Sequence, residues 1–235
     1  SFPVIVSASR STDIPAFYWE WFLNRVQAGF VDVRNPMNIH QVSRINIRPE
    51  VVDCIVFWTK NAGNIISHLD QLREYCYYFQ YTINPYNNLL EKNVPLKKEN
   101  IDNFKQLSNI ISPNRVVWRY DPILLTNEID INYHLHYYEE LARRLQGYTK
   151  RCVISFVDLY KKTISNTREL MMREPTENEM YILAQRISII AKSYGIDVLS
   201  CSESIDLDAA GVKHGCCIDQ NLIEDIVGYK IDVKK

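Results

Sequence analysis

"RVVWRYDPILL", residues 115–125, starts as a buried β-strand and then changes character. Val116 and Val117 suit the interior of a sheet. They run into Trp118, Arg119, Tyr120 and Asp121. Pro122 then removes any further ladder hydrogen bond, so the strand is expected to stop at Asp121. Side chains alternate across a strand, which sets Val116, Trp118 and Tyr120 against Val117, Arg119 and Asp121. An arginine and an aspartate on one face of a core strand need somewhere polar to go.

The same change recurs along the chain. "VIVSAS" (4–9) leads into Arg10, Thr12 and Asp13, and "CIVFW" (54–58) into Thr59, Lys60 and Asn61. "YYFQYTI" (77–83) ends at Asn84-Pro85, "CVISF" (152–156) runs toward Asp158, and "DVLSCSE" (197–203) closes on Glu203. Parity separates Gln80 and Thr82 from Tyr77, Phe79, Tyr81 and Ile83. It likewise separates Ser7 and Ser9 from Val4, Val6 and Ala8, and Ser155 from Ile154 and Phe156.

Helical patterns lie between these runs. Residues 16–28 begin after Pro15, place Phe17, Trp21 and Val26 among polar neighbours, and stop at Gly29. Residues 63–75, 100–111 and 132–145 predict helices of about three turns. Residues 176–194 open with a capping box of Thr176 and Glu179. One stretch breaks the alternation: "FVDVRNPMNIHQVSRINI" (30–47) reads as an inserted β-hairpin.

Strands alternating with helices imply a parallel sheet covered by helices. Strands buried on both faces rarely carry this much polarity on one side. A barrel with a polar lumen accounts for it. The expected fold is therefore α/β, a single domain over residues 1–235. It is a (β/α) TIM-like barrel, partial, with about six parallel strands and the inserted hairpin.

Such barrels place their chemistry at the C-terminal strand ends. The candidate binding residues are Ser9, Arg10, Asp13, Lys60, Asn61, Gln80, Thr82, Arg119, Asp121, Ser155, Asp158 and Glu203. Among them Lys60, Asp121 and Glu203 are the candidates for proton transfer. Arginine is a fixed cation suited to carboxylate or phosphate. For Arg119 and Asp121 a purely structural ion pair stands as an equal alternative.

Composition narrows the function. The chain has 235 residues, 46% hydrophobic and 23% charged, with net charge -1 and pI near 6.5. No global positive field draws it to nucleic acid or anionic lipid. No apolar run approaches the roughly 20 residues that span a bilayer. The start lacks a signal-peptide pattern and an initiator methionine, so a processed, trimmed or incomplete chain is expected. The six cysteines form no CxxC pair, and the expected compartment is the cytoplasm. His68, His134 and His136 fall in helical patterns, His40 in the hairpin loop and His214 near the end. None closes a strand, which disfavours a zinc hydrolase barrel. Cys216-Cys217 is expected to be structural or incidental, and no phosphate loop, dinucleotide fingerprint or GxSxG elbow occurs.

A resemblance is carried by "SASRSTDIPAFY" (7–18), "VRNP" (33–36), "QVSRI" (41–45), "VVDCIVFWTKN" (51–61), "WRYDPI" (118–123), "ISFVDLY" (154–160) and "HGCCID" (214–219). Together they resemble a bacterial family catalogued as domain of unknown function eighteen forty-eight. Members of that family look like radical S-adenosylmethionine enzymes and spore-photoproduct-lyase-like repair proteins. The resemblance implies a C-terminal C-x3-C-x2-C triad holding a [4Fe-4S] cluster, S-adenosylmethionine at the barrel mouth, and a reductant of flavodoxin or ferredoxin type. No cysteine of residues 1–235 occupies those positions, so the triad is expected beyond Lys235. The substrate would be a small molecule or nucleic acid. On that reading Arg10, Lys60 and Arg119 meet anionic groups. Asp13, Asp121, Asp158 and Glu203 take hydroxyls, the cofactor amine or the arginines.

Two rivals come from the residues alone. One is a cofactor-independent or divalent-metal barrel enzyme using Lys60 with Asp121 and Glu203. The other is a non-catalytic barrel that binds nucleic acid or another ligand, with Arg34, His40 and Arg44 of the hairpin as its contact.

Overall fold

The computed structural model describes residues 3–10, 12–86, 97–158, 172–201, 205–215 and 218–231. Nine strands are described. β1 (Ile5–Ala8), β4 (Cys54–Thr59), β5 (Tyr77–Thr82), β6 (Val116–Ile123), β7 (Arg151–Phe156), β8 (Asp197–Cys201) and β9 (Lys213–Gly215) form one seven-stranded sheet in that order. β1 pairs with β4, β6 with β7, β7 with β8, and β8 with β9, all in parallel. β2 (Phe30–Asn35) and β3 (Asn38–Asn46) make a separate antiparallel hairpin. The architecture is the expected α/β one, consistent with a partial TIM-like barrel. The sheet has seven strands rather than about six. The extra one, β9, is three residues long and has no apolar alternation to announce it.

The chain divides into two compact units, residues 1–79 with 220–235, and residues 80–219. In the first, α1 (Ile14–Phe17) and α2 (Trp19–Ala28) follow β1. Two helices stand where one was expected over 16–28. Asp13 caps a first short helix through the Ala16 amide, Pro15 sits within its first turn, and Tyr18 (φ -131°) breaks the run. The break rotates the buried stripe. Trp19, Phe22 and Leu23 are buried, while Phe17 and Trp21 are 61% and 48% exposed. Gly29 (φ 82°) ends α2 as expected.

Trp19 and Phe22 meet Phe57 of β4 edge-on at 5.4 and 5.3 Å, and Phe57 stacks on Phe79 at 4.9 Å. Offset and edge-on aromatic pairs of this kind add roughly 0.5–1.5 kcal/mol to what their buried area contributes. The helix read over 63–75 is instead a 3-10 run, Ile66–Leu72. Its buried residues, Leu69 and Leu72, are three apart, the period of that tighter helix. Residues 220–227 form α6, and the segment after it folds back. Tyr229 donates its hydroxyl to Asp53, whose other oxygen accepts the Val4 amide. Ile231 donates its amide to Glu224 and accepts from Gln220.

In the second unit α3 (Lys97–Ile111), α4 (Ile131–Leu145) and α5 (Glu177–Ser193) supply the apolar cover. Tyr81 packs on Phe104 of α3 at 5.0 Å; Trp118 stacks on Tyr138 of α4 at 4.8 Å. Tyr120 meets Tyr138 at 5.0 Å and reaches His134, which is fully buried. One parity set of β5 and β6 thus faces helices. α5 carries the expected capping box of Thr176 and Glu179. Arg173 grips Glu179 through two nitrogens at 2.6 and 2.7 Å, which with the cap holds that carboxyl down at about 2.

β6 also outruns its expected end. It continues through Pro122 to Ile123, with a register shift against β7 between Tyr120 and Ile123 and a cis Asp121-Pro122 peptide. Proline within a sheet is confined to such irregular positions. Tyr86 stitches the turn, donating to the Pro122 carbonyl at 2.7 Å and accepting the Leu124 amide at 3.0 Å.

Candidate functional site

Arg119 lies on the side of β6 opposite the helix-packed Trp118 and Tyr120. Its guanidinium donates from Nη2 to Asp121 Oδ2 at 2.6 Å, from Nε to Oδ1 at 3.4 Å, and from Nη1 to Gln80 Oε1 at 2.8 Å. Ser155 on β7 donates to the same Asp121 Oδ2 at 3.1 Å. The Arg119 side chain is 4% exposed and that of Asp121 13%. A fork-shaped cation matches a carboxylate in this way, and burial of both partners demands the match. Gln80, Arg119, Asp121 and Ser155 are therefore one buried polar network spanning three adjacent strands. Thr82 and Asp158, beside these residues in sequence, are half-buried. Glu203 lies outside the described residues, as does Cys216-Cys217.

A second group gathers where the paired strands β1 and β4 end. Trp58 donates its indole N–H to Ser7 Oγ at 3.1 Å, and the Arg10 guanidinium lies 5.5 Å from the Trp58 ring centre. Ser9 takes a left-handed backbone (φ 54°), and its hydroxyl accepts the Thr12 amide at 3.1 Å. A non-glycine residue in that conformation is held there by its surroundings. Asp13 divides its oxygens between two backbone amides, Oδ1 with Ala16 at 3.0 Å and Oδ2 with Lys60 at 2.8 Å. It thus ties the loop after β1 to the loop after β4. Burial raises its pKa from the usual carboxylate value, against the lowering pull of the Lys60 and Ala16 amides.

Lys60 and Arg10 are exposed, and Asn61 is half-buried. Asn61 trades backbone bonds with the Thr59 hydroxyl at 2.9 and 3.0 Å and takes the Gly63 amide on its side-chain oxygen at 2.9 Å. The sequence reading does not select Trp58. Parity sets it opposite Phe57 on β4, on the face of Val56, and the register that pairs Val56 with Ser7 brings it near that hydroxyl.

The remaining sequence candidates for metal or proton chemistry disperse. His134 is a satisfied core histidine. His40 is in β3 rather than in the hairpin loop, and His214 is in β9. Among the described residues no three His, Cys, Asp or Glu side chains could hold a metal ion. The described cysteines are Cys54 in β4, Cys76 just before β5, Cys152 in β7 and Cys201 in β8, none of them in a disulfide. Burial pushes the Cys152 thiol up to about 12. These cysteines do not fit a [4Fe-4S] cluster, which takes several thiolates converging on one centre. In the hairpin, Arg44 is engaged by Asp32 at 2.9 Å and lies 3.9 Å over the Phe30 ring, and Arg34 donates to the Ile39 carbonyl at 2.7 Å.

The parallel sheet with helices and polar strand ends defines an α/β protein of partial-barrel type. The chain belongs to the family described as "Domain of unknown function (DUF1848)", whose model matches residues 5–235. No curated protein matches it. Among solved structures, the chain is similar to a "putative alpha-L-fucosidase" from Bacteroides thetaiotaomicron VPI-5482. The TM-score is 0.37 and the identity 11%, over 98% of this chain and 84% of that one. No helix among the described residues is long and apolar enough to cross a membrane.

Proposed function

We propose that this protein is an enzyme of the radical S-adenosylmethionine type, in which the strand ends bind and orient while a cofactor carries the chemistry. The observation that supports this reading is the employment of the two best-placed acids. Asp13 has both oxygens on backbone amides, and Asp121 has its own on Arg119 and Ser155. A general base needs a lone pair aimed at the proton it takes. Asp121 Oδ2 is already shared by Arg119 and Ser155, which weakens the rival scheme built on Lys60, Asp121 and Glu203.

In the favoured reading Arg10 and Lys60, exposed at the ends of two paired strands, meet anionic groups of cofactor or substrate. The Gln80–Arg119–Asp121–Ser155 network holds its own strands in register. No described residue is assigned as a cluster ligand. The ligands would be the cysteine triad that the family resemblance implies, with an electron donor of flavodoxin or ferredoxin type and a cytoplasmic setting.

The test is iron and acid-labile sulfide analysis of the complete gene product purified without oxygen, followed by assay for 5′-deoxyadenosine from S-adenosylmethionine and dithionite. About four irons per chain and cofactor cleavage are the expected result. Protein with neither would remove the radical-enzyme reading and leave a barrel acting without it.

A further inference from the structure

The hairpin carries a second pattern, unrelated to the strand ends. All nine residues of β3 are exposed, among them Ile39 (60%) and Val42 (51%), and the turn residue Met37 is 93% exposed. The hairpin is a two-stranded sheet by itself, so each strand has one strand neighbour among the described residues. Its register runs from Phe30 opposite Asn46 to Arg34 opposite Val42, then shifts to Asn35 opposite Asn38. Ile39, His40 and Gln41 are passed over by that ladder. A two-stranded ribbon of this kind is marginal alone in water. An exposed edge with apolar side chains is a template for another strand unless something blunts it.

The sequence of β3 says which strand. Read outward from Val42, Asn38-Ile39-His40-Gln41-Val42-Ser43-Arg44-Ile45-Asn46 is symmetric in chemistry. Asn38 mirrors Asn46, Ile39 mirrors Ile45, His40 mirrors Arg44, and Gln41 mirrors Ser43. An isologous two-fold interface requires that residue i meet j while j meets i. An antiparallel strand pair centred on Val42 satisfies this throughout. It sets Val42 against its own copy, Ile39 against Ile45 twice, and the asparagines against each other at both ends. Directly opposed residues share a face, so every one of these pairs forms side by side. The His40–Arg44 pair does not set a bare cation against imidazole, because each Arg44 is already matched by Asp32 of its own hairpin.

We propose that β3 is a self-pairing edge, through which two copies of this chain join their hairpins into one four-stranded antiparallel sheet. The apolar face of that sheet would run across Val31, Ile45 and Ile39 of one copy into the same residues of the other. The residues between Ile39 and Ile45 on that face of β3 are Gln41 and Ser43, which carry no charge.

The test begins with sedimentation equilibrium of the wild-type protein and of Val42→Lys from about 1 to 200 µM. The wild type is expected to be dimeric in the upper part of that range. The lysine variant sets two like charges against each other on the two-fold axis and should weaken association at least about tenfold. Circular dichroism shows whether that variant keeps its fold. Register is tested independently with cysteines, scored by non-reducing gel against the wild type. Val42→Cys should cross-link to itself under mild oxidation. Ile39→Cys and Ile45→Cys should each fail alone and cross-link when mixed. A wild type that stays monomeric throughout overturns the proposal. So does a dimer indifferent to Val42→Lys, or one in which Val42→Cys does not cross-link.

Discussion

Tyr120 gives its hydroxyl hydrogen to Nδ1 of His134 at 2.7 Å, and the ring's Nε2 donates in turn to the Leu124 carbonyl at 2.7 Å. The carbonyl can only accept, which fixes the neutral Nε2–H tautomer and makes Tyr120 the donor. A strand, a helix and the turn beyond Pro122 are joined by these two bonds inside an aromatic core.

Tyr120→Phe removes the donor and leaves Nδ1 buried without it. The loss should be roughly 1–3 kcal/mol in a urea unfolding titration, with the slope of the transition unchanged. His134→Phe strands two groups, Tyr120 Oη and Leu124 O, and should cost more than Tyr120→Phe.

Burial lowers the His134 pKa below its ordinary 6.5, outweighing the Leu124 hydrogen bond and the nearby Asp130. The unfolded chain therefore takes up the proton first as pH falls. This contribution to stability is complete above about pH 6.5 and is lost as pH drops toward the lowered folded value. Denaturation midpoints of the wild type should fall between pH 7.5 and 5.5. His134→Phe should show a smaller drop over the same interval, and an equal drop would assign the effect to other groups.

Arg119→Ala leaves Asp121 with Ser155 alone among its side-chain donors described above, and takes the cation from Gln80. Removing one partner of a buried pair costs roughly 3–5 kcal/mol. Arg119→Lys keeps the charge but cannot span both partners with a fork, so its thermal midpoint should lie between those of the alanine variant and the wild type.

Cys152 is fully buried, with its thiol held high by desolvation. Thiolate is the reactive form. Native protein treated with iodoacetamide at pH 8 should show Cys152 unmodified by peptide mapping, and unfolding in guanidinium should make it react at the rate of a free cysteine.

Strand identity and the polar strand ends were legible because period-two alternation and the terminal Arg119–Asp121 pair are local signals. The joining of Gln80, Arg119 and Ser155 across three strands was legible only as shared parity, since register is not written in any one segment. The break at Tyr18 was not legible. A continuous helix and two short ones place the same residue types in the same order, and only packing on Phe57 selects Trp19 and Phe22 over Phe17 and Trp21. β9 was hidden because Lys213, His214 and Gly215 gain strand geometry from β8 and not from their own propensity. Asp13 illustrates a different limit. Its position in a motif suggested a ligand contact, whereas its oxygens hold the Ala16 amide of α1 and the Lys60 amide, the second of which sequence cannot show to be near.

Asp53 accepts from Val4 near one end of the chain and from Tyr229 near the other, in a unit whose residues come from both ends. During synthesis the first 79 residues leave the ribosome well ahead of the segment that completes their unit. Residues 80–219, continuous in sequence, can be made in full and can fold before it arrives. The unit that residues 1–79 begin must wait, with part of its surface uncovered, until residues 220–235 emerge. A chain cut short of Gln220 would therefore leave residues 1–79 without the segment that completes their unit.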